Sequence, residues 1–356
     1  MTDKTTIVPP TGVTPGWMTQ ALRKNGLDVT VADLRIETVG TGQLGETRRY
    51  SIKYAGTAPA DAPQSLVGKF PSNNEVARQS GRELRFYRSE VMFYRELAHR
   101  AVIRAPSMYV AEIDAADDFI LLLEDMAPAQ PGDQMRGCTL PQARLALEEA
   151  AKLHAAFWND TELMKQPWLY VPEGSQGFYT TELMESSWLH FEKNYSHRFE
   201  PEVMKVCEKF IKSHAAWNAP RPQPKCFSHC DFRPDNMLFG SGRVAVVDWQ
   251  TSNYLGSGMD VAYFLGGIFD RKTRRAHEQE LLHHYHSELM FNGVTDYSFE
   301  HLLSDYRHYT FAVLAVIIAA TVIVKQTERG DQMFMQMING GAYQAIDNDA
   351  LDILPA

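Results

Sequence analysis

Between residues 47 and 54, Tyr50, Ile52 and Tyr54 alternate with Ser51 and Lys53, the period of a strand with one buried face. A connection rich in Gly, Ala and Pro follows at 55–63, and residues 65–70 (SLVGKF) predict a second short strand. The spacing turns helical over 82–100, returns to strand-like runs over 104–126, and stays helical from Pro141 onward apart from one short hairpin near 236–248. A helical stretch at 15–25 precedes all of these. The most apolar run, 309–324, is 16 residues long, short of the ~20 that span a bilayer, and predicts a buried core helix. A mixed half-sheet followed by helices predicts an α+β protein in two lobes: a lead-in at 1–34, an N-terminal lobe at 35–125 and a mostly helical C-terminal lobe at 126–356.

Composition narrows the functional classes. Hydrophobic residues make up 44% and charged residues 22% of the 356 positions, values of an ordinary globular chain. Lys and Arg number 35 against 44 Asp and Glu, a net charge of −9, which argues against a general affinity for nucleic acid or an anionic membrane. Neither is expected as a partner. Cys138, Cys207, Cys226 and Cys230 form no paired CxxC motif, so neither a disulfide framework nor a structural zinc site is expected. Reduced thiols, with no basic-then-apolar signal in residues 1–12, predict a cytoplasmic protein.

The candidate chemistry begins at Gly40, Gly42 and Gly45, spaced G-x-G-x-x-G. Dinucleotide folds, protein kinases and chance turns all produce this spacing. A dinucleotide fingerprint runs from strand into helix and is followed by an acidic residue about twenty positions on. Here a strand follows and no such acid does, so the glycines predict a hairpin folding over phosphates. An ordinary Gly-rich turn is the plainer reading.

Lys69 lies near the end of the strand at 65–70. On the helix that follows, Phe86, Glu90, Phe93 and Leu97 are spaced to share one face, which places a carboxylate inside an apolar stripe. Such a charge either meets a cation, for which Lys69 is the natural candidate, or sits at the edge of the stripe and reaches water. A strand lysine paired to a helix glutamate positions the α- and β-phosphates in kinase-like sites.

The strongest signal runs from Phe227 through His229, Cys230, Asp231, Phe232, Arg233, Pro234, Asp235 and Asn236, followed by two short apolar strands and Asp248-Trp249. The turn Gly240-Ser241-Gly242-Arg243 makes those strands a hairpin. Antiparallel register then brings Asn236 and Asp248 side by side at its open end. An amide oxygen and a carboxylate suit Mg²⁺, which keeps water and substrate phosphates as its other ligands. Asp231, five residues before Asn236 in a Pro-held loop, is placed to accept a hydroxyl proton. D-x-x-x-x-N, a hairpin and D is the catalytic arrangement of kinases.

These residues resemble the aminoglycoside phosphotransferase and choline kinase family, whose motif is similar to H-C-D-F-R-P-D-N and V-V-D-W as they stand here. Further matches are the three glycines, Lys69, the surroundings of Glu90, L-L-L-E-D-M ending at Met126, L-H-A-A-F-W at 153–158 and G-M-D-V-A around Asp260. The resemblance covers about residues 35–270, and the long helical tail is similar both to the ecdysteroid-kinase-like branch and to the phosphotransferase-like proteins related to acyl-CoA dehydrogenase partners. It implies a bilobal protein-kinase-like fold and a small-molecule kinase using ATP or GTP with Mg²⁺ on a hydroxylated small-molecule acceptor. In that reading Asp231 is the catalytic base, Asn236 and Asp248 are metal ligands, and Lys69, held by Glu90, anchors phosphate. Arg233 neutralises charge on the phosphoryl group, Asp260 braces the catalytic loop, and backbone groups at Glu124 and Met126 meet the adenine. Cys230 departs from the family, which usually has Gly there.

Two rival classes are a nucleotide-binding protein without turnover and a metal-dependent hydrolase built on His229 and Asp231. The latter needs further spaced ligands; the nearest cluster, His283, His284 and His286, shares a charged helix with Glu278, Glu280 and Glu288 and predicts a solvated face. Residues 157–199 hold 10 aromatics in 43 positions, about twice the chain's average, in the region where the family builds its acceptor pocket. Most are expected in the core, some in the pocket.

Overall fold

The computed structural model describes residues 5–40, 44–169, 179–222, 224–324 and 326–355. The chain divides into two compact units. The first comprises residues 1–100, 104–129 and 245–251, and the second comprises 101–103, 130–244 and 252–356.

The first unit opens with α1 (Pro15–Lys24), started by the Thr14 side chain accepting the Trp17 N–H and by Pro15 in the first turn. It continues through β1 (Val31–Thr38), β2 (Gly45–Tyr54), β3 (Ser65–Pro71), α2 (Glu75–Glu83), α3 (Phe86–Met92), β4 (Met108–Ile113) and β5 (Phe119–Glu124). The five strands form one antiparallel sheet in the order β1-β2-β3-β5-β4. Leu66, Gly68 and Phe70 are buried along one face of β3, and Met18, Ala21 and Leu22 of α1 join Tyr50, Leu66, Phe70, Ile120 and Leu122 in a single core. The lead-in is therefore part of the sheet's packing. The helical pattern of 82–100 is broken where Arg85 adopts φ +60°, and α3 ends in a wide turn, Phe93–Leu97. Phe93 and Leu97 stay buried, whereas Phe86 is only half-buried.

The second unit contains β6 (Gln130–Pro131), α4 (Leu140–Ala156), α5 (Thr181–Tyr195), α6 (Pro201–Trp217), β7 (Cys226–Ser228), β8 (Met237–Gly240) and β9 (Arg243–Val246), whose end runs into the first unit. It goes on through β10 (Asn253–Leu255), α7 (Gly258–Gly267), α8 (Arg271–Phe291), α9 (Phe299–Tyr309), α10 (Ala312–Ile323) and α11 (Glu328–Asp347). The predicted hairpin is β8–β9, beside β6. Its two-residue turn, Ser241-Gly242, has positive φ at both positions, the backbone that lets tight hairpins keep their strand twist. The pair β7–β10 was not apparent in the sequence; its register sets Phe227 opposite Tyr254.

Helix α7 is the centre of this unit, with all ten residues buried. The predicted apolar helix is α10. The stretch Phe299–Ile323 is long and apolar enough to cross a membrane, but 72% of its most apolar 18-residue window is buried inside the protein and a turn at Thr310–Phe311 divides it into α9 and α10. It serves as core.

Candidate active site

Within the sheet unit, Lys69 sits on the central strand β3, opposite Thr47 of β2 and Leu121 of β5. Strand alternation turns it away from the face of Leu66, Gly68 and Phe70. Its Nζ lies 2.5 Å from Glu90 Oε1 and 2.9 Å from Asp248 Oδ1. Glu90 is 3% exposed, so of its two readings the buried pair with Lys69 is the one observed. Burial works against the Lys69 charge, yet Asp248 and Glu90 hold its pKa above the ordinary lysine value. Burial raises that of Glu90, opposed by Lys69 and reinforced by Asp248.

Asp248 reaches this unit on the segment 245–251. The Val246 N–H donates to the Arg104 carbonyl at 2.8 Å, and buried Trp249 stacks on Phe93 with ring centroids 3.7 Å apart and planes 9° from parallel. The stack clamps the residue that follows Asp248, which itself adopts φ +71°.

Gly40 adopts φ +73°, a backbone that glycine reaches without penalty. Gly45 opens β2 opposite Pro71, and the Leu44 carbonyl before it accepts the Tyr87 hydroxyl at 2.5 Å. Gly42 lies outside the described residues. Glu124 ends β5, where its N–H donates to the Ser107 carbonyl and its carboxylate pairs with Arg104 at 2.6 Å. Two residues on, Met126 accepts the Ala129 N–H through its carbonyl. Between them Asp125 is fixed by Ser65 Oγ at 2.6 Å and Arg49 Nη2 at 3.2 Å. Burial opposes its charge, but these partners and the Ala127 N–H hold its carboxyl below the usual range.

Within the helical unit, the loop from His229 to Asn236 gathers the other candidates. Asp231 Oδ1 accepts Arg233 Nε at 2.9 Å and the Tyr263 hydroxyl at 3.0 Å, and Oδ2 accepts Asn236 Nδ2 at 2.8 Å. Arg233 also binds Asp235 Oδ2 at 2.9 Å. Its guanidinium therefore lies against two carboxylates, which keep it charged despite burial. The Asn236 amide nitrogen is committed to Asp231, including its backbone carbonyl at 2.9 Å, which leaves the amide oxygen as the atom suited to a cation.

Asp260, fully buried in the first turn of α7, accepts the backbone N–H groups of His229 at 2.7 Å and Cys230 at 2.8 Å. His154 Nε2 lies 3.1 Å from its Oδ2, and His154 Nδ1 lies 2.7 Å from the Tyr285 hydroxyl. Burial would raise the Asp260 carboxyl, but His154 and the loop donors hold it below the usual range. Cys230 adopts φ +64°, a left-handed backbone that explains why glycine suits this position. The His229 ring accepts the Asp231 N–H at 3.3 Å. Tyr263 and Tyr87 were not singled out by the sequence reading, and His154 entered it only as part of the L-H-A-A-F-W match. For Tyr263 a signal exists: it follows Asp260 by three residues, which puts both on one helical face.

The solvated face expected of α8 holds at exposed Glu280 and His283 and is corrected at Glu278. Glu278 is buried, not solvated: Arg274 binds it at 2.8 Å and the Tyr306 hydroxyl at 2.5 Å. His283 stacks on Phe299, and His286 Nε2 lies 2.8 Å from the Tyr297 carbonyl. Among the described residues no group of three or more His, Cys, Asp or Glu could hold a metal ion. Of the aromatics between 157 and 199, Phe157, Trp168, Phe191 and Tyr195 are core residues. Trp158, Tyr179, Trp188 and Phe199 are half-buried, and Tyr170 and Phe178 lie outside the described residues.

A sheet unit with a lysine held by a helix glutamate, together with a helical unit holding a D-x-x-x-x-N loop, defines the small-molecule kinase class, phosphotransferases with an alcohol group as acceptor. The chain belongs to the ecdysteroid kinase-like family, which matches residues 43–292. Among solved structures it is similar to choline kinase from Cryptosporidium parvum, at 13% identity and a TM-score of 0.56, covering 95% of this chain and 94% of that one. It is likewise similar to an ethanolamine kinase from Plasmodium vivax, at 12% identity and TM-score 0.53, covering 86% and 82%. A third is a protein from Ralstonia eutropha classed as an aminoglycoside phosphotransferase, at 14% identity and TM-score 0.52, covering 95% and 99%. These likenesses establish the protein-kinase-like, bilobal α+β fold. No curated protein sequence matches the chain.

Proposed function

We propose that the protein transfers the γ-phosphate of ATP, or of GTP, to a hydroxyl of a small acceptor, with Asp231 as the base. The observation that carries this reading is the Asp231 carboxylate itself, ringed by Arg233, Asn236 and Tyr263 in a loop whose amides are held by Asp260. Phosphoryl transfer asks little covalent chemistry of a protein and much positioning. A carboxylate fixed by three donors meets that need, because a base contributes only when its oxygen is aimed at the hydroxyl proton.

Asn236 and Asp248 would supply Mg²⁺ with an amide oxygen and a carboxylate, the hard oxygen donors it takes alongside phosphate and water. When bound, the ion would neutralise charge on the phosphates. Lys69 would hold phosphate oxygens, its ammonium kept in place and charged by Glu90 and Asp248. The loop of Gly40, Gly42 and Gly45 would cover the phosphates, and backbone groups at Glu124 and Met126 would meet the base of the nucleotide. Arg233 would bring positive charge to the transferring group from its place on Asp231.

The acceptor is read as a small, largely apolar or singly charged molecule. A polycation would call for a dense carboxylate cluster, whereas Glu162, Glu182, Glu185, Glu192 and Glu200 lie on exposed surface. The family's name points to a hydroxylated steroid-like body, which suits an aromatic-rich region. Nucleotide consumption with and without Mg²⁺, measured against hydroxylated steroids, choline-like compounds and aminoglycosides, tests this reading. The highest kcat/KM should fall on an apolar or singly charged alcohol, and an aminoglycoside above all others would overturn it.

A further inference from the structure

Asp231 takes two of its side-chain hydrogen bonds from its own loop, Arg233 Nε at 2.9 Å and Asn236 Nδ2 at 2.8 Å. Both donors belong to the loop itself, and of the two Arg233 also reaches Met333 Sδ of α11 through Nη1 at 3.3 Å. The Tyr263 hydroxyl, 3.0 Å from Oδ1, comes instead from α7. Tyr263 is 2% exposed and stands one helical turn after Asp260, which holds the loop's backbone at His229 and Cys230. One buried helix thus grips the loop twice, by the backbone through Asp260 and by the reacting side chain through Tyr263. An ionised carboxylate offers about four lone-pair positions. Arg233 Nε bridges both oxygens, at 2.9 and 3.2 Å, so the three donors together set the direction from which a substrate hydroxyl can approach.

We propose that Tyr263 is a positioning residue for phosphoryl transfer, which holds Asp231 in the orientation that accepts the acceptor's hydroxyl proton. The inference rests on Asp231 being the base. Neutral phenol is the form required, and burial together with the Asp231 carboxylate keeps the Tyr263 hydroxyl protonated.

The test is a double-mutant cycle on the full-length protein, with steady-state kinetics on the best acceptor of the panel above and thermal unfolding of each variant. Tyr263→Phe removes one oxygen and keeps the ring's packing. It should lower kcat about 10- to 10²-fold, the scale of a displaced catalytic group, with KM for nucleotide and acceptor nearly unchanged. In the Asp231→Asn background the same change should cost less than about twofold, because a residue acting through Asp231 has nothing left to position. Loss of kcat by the same factor in both backgrounds would overturn the proposal in favour of a general structural role. So would wild-type kcat in Tyr263→Phe while Asp231→Asn is impaired, a result that leaves the base assignment standing. Wild-type kcat in Asp231→Asn would overturn both. Should Tyr263→Phe unfold, Tyr263→Met, which removes the hydroxyl with a flexible apolar side chain, takes its place in the cycle and must show the same non-additivity.

Discussion

The Asp260 carboxylate accepts the backbone N–H of Cys230 at 2.8 Å while Cys230 holds a left-handed backbone at φ +64°. The loop is bent at the residue before Asp231, and a fully buried carboxylate fixes the bend through two amides. A charged acceptor matters here because charge-assisted bonds to backbone N–H groups are about twice as strong as neutral ones.

Asp260→Asn replaces one acceptor oxygen by an NH₂ group that faces amide donors. It should cost about 1–3 kcal/mol of stability, the penalty of leaving a buried donor unsatisfied, and lower kcat at least about tenfold through the loop. Denaturant titration and steady-state kinetics check both. Because the Asp260 carboxyl is held below its usual range, its contribution is fully present above the unfolded value near pH ~3.9. It is lost as pH falls through the lower folded value. The stability gap between wild type and Asp260→Asn should therefore close on acidification below about pH 4, and a gap that widens there would contradict the assignment.

Asp248→Ala should weaken binding of the Mg²⁺-nucleotide more than binding of the metal-free nucleotide, since it deletes a proposed ligand of the bridging ion. It also removes one of two carboxylates from Lys69, so metal-free nucleotide is expected to bind no worse than about threefold weaker. Isothermal titration in the presence and absence of Mg²⁺ separates the two. Equal losses would reassign Asp248 to holding Lys69.

His308 is buried against Trp217, with ring centroids 5.3 Å apart and planes 16° from parallel. Burial, aided by nearby Arg221, lowers its pKa to about 3. The unfolded chain takes up a proton near pH ~6.5 that the folded one refuses. Stability should thus fall as pH drops from about 6.5 toward 3, and His308→Gln should remove that part of the slope. Urea midpoints compared at about pH 7.5 and 5 measure it; parallel slopes for wild type and variant would contradict the shift.

The pairing of Lys69 with Glu90 was half-legible in the sequence, because a carboxylate inside an apolar helical face raises the question of its partner without answering it. The D-x-x-x-x-N loop and its hairpin were legible because turn residues and short apolar strands lie next to one another in the chain. The strand pair β7–β10 was not, since three residues carry too little periodicity and the partner lies far along the sequence. The role of Tyr263 was hidden for a different reason: the i,i+3 relation to Asp260 fixes a shared face, not what that face meets. Glu278 could have been read from Arg274 four residues earlier, a spacing that pairs charges on one helix. The lead-in's packing on the sheet and the clamp of Trp249 on Phe93 depend on contacts between distant segments, which no local pattern encodes.

The most direct measurement of the central claim is the turnover of Asp231→Asn with nucleotide, Mg²⁺ and the best acceptor, alongside nucleotide binding by the same variant. The account predicts a fall in kcat of about 10²–10⁴, the scale of a lost general base, with the fold and nucleotide affinity retained. Turnover at the wild-type rate would contradict it.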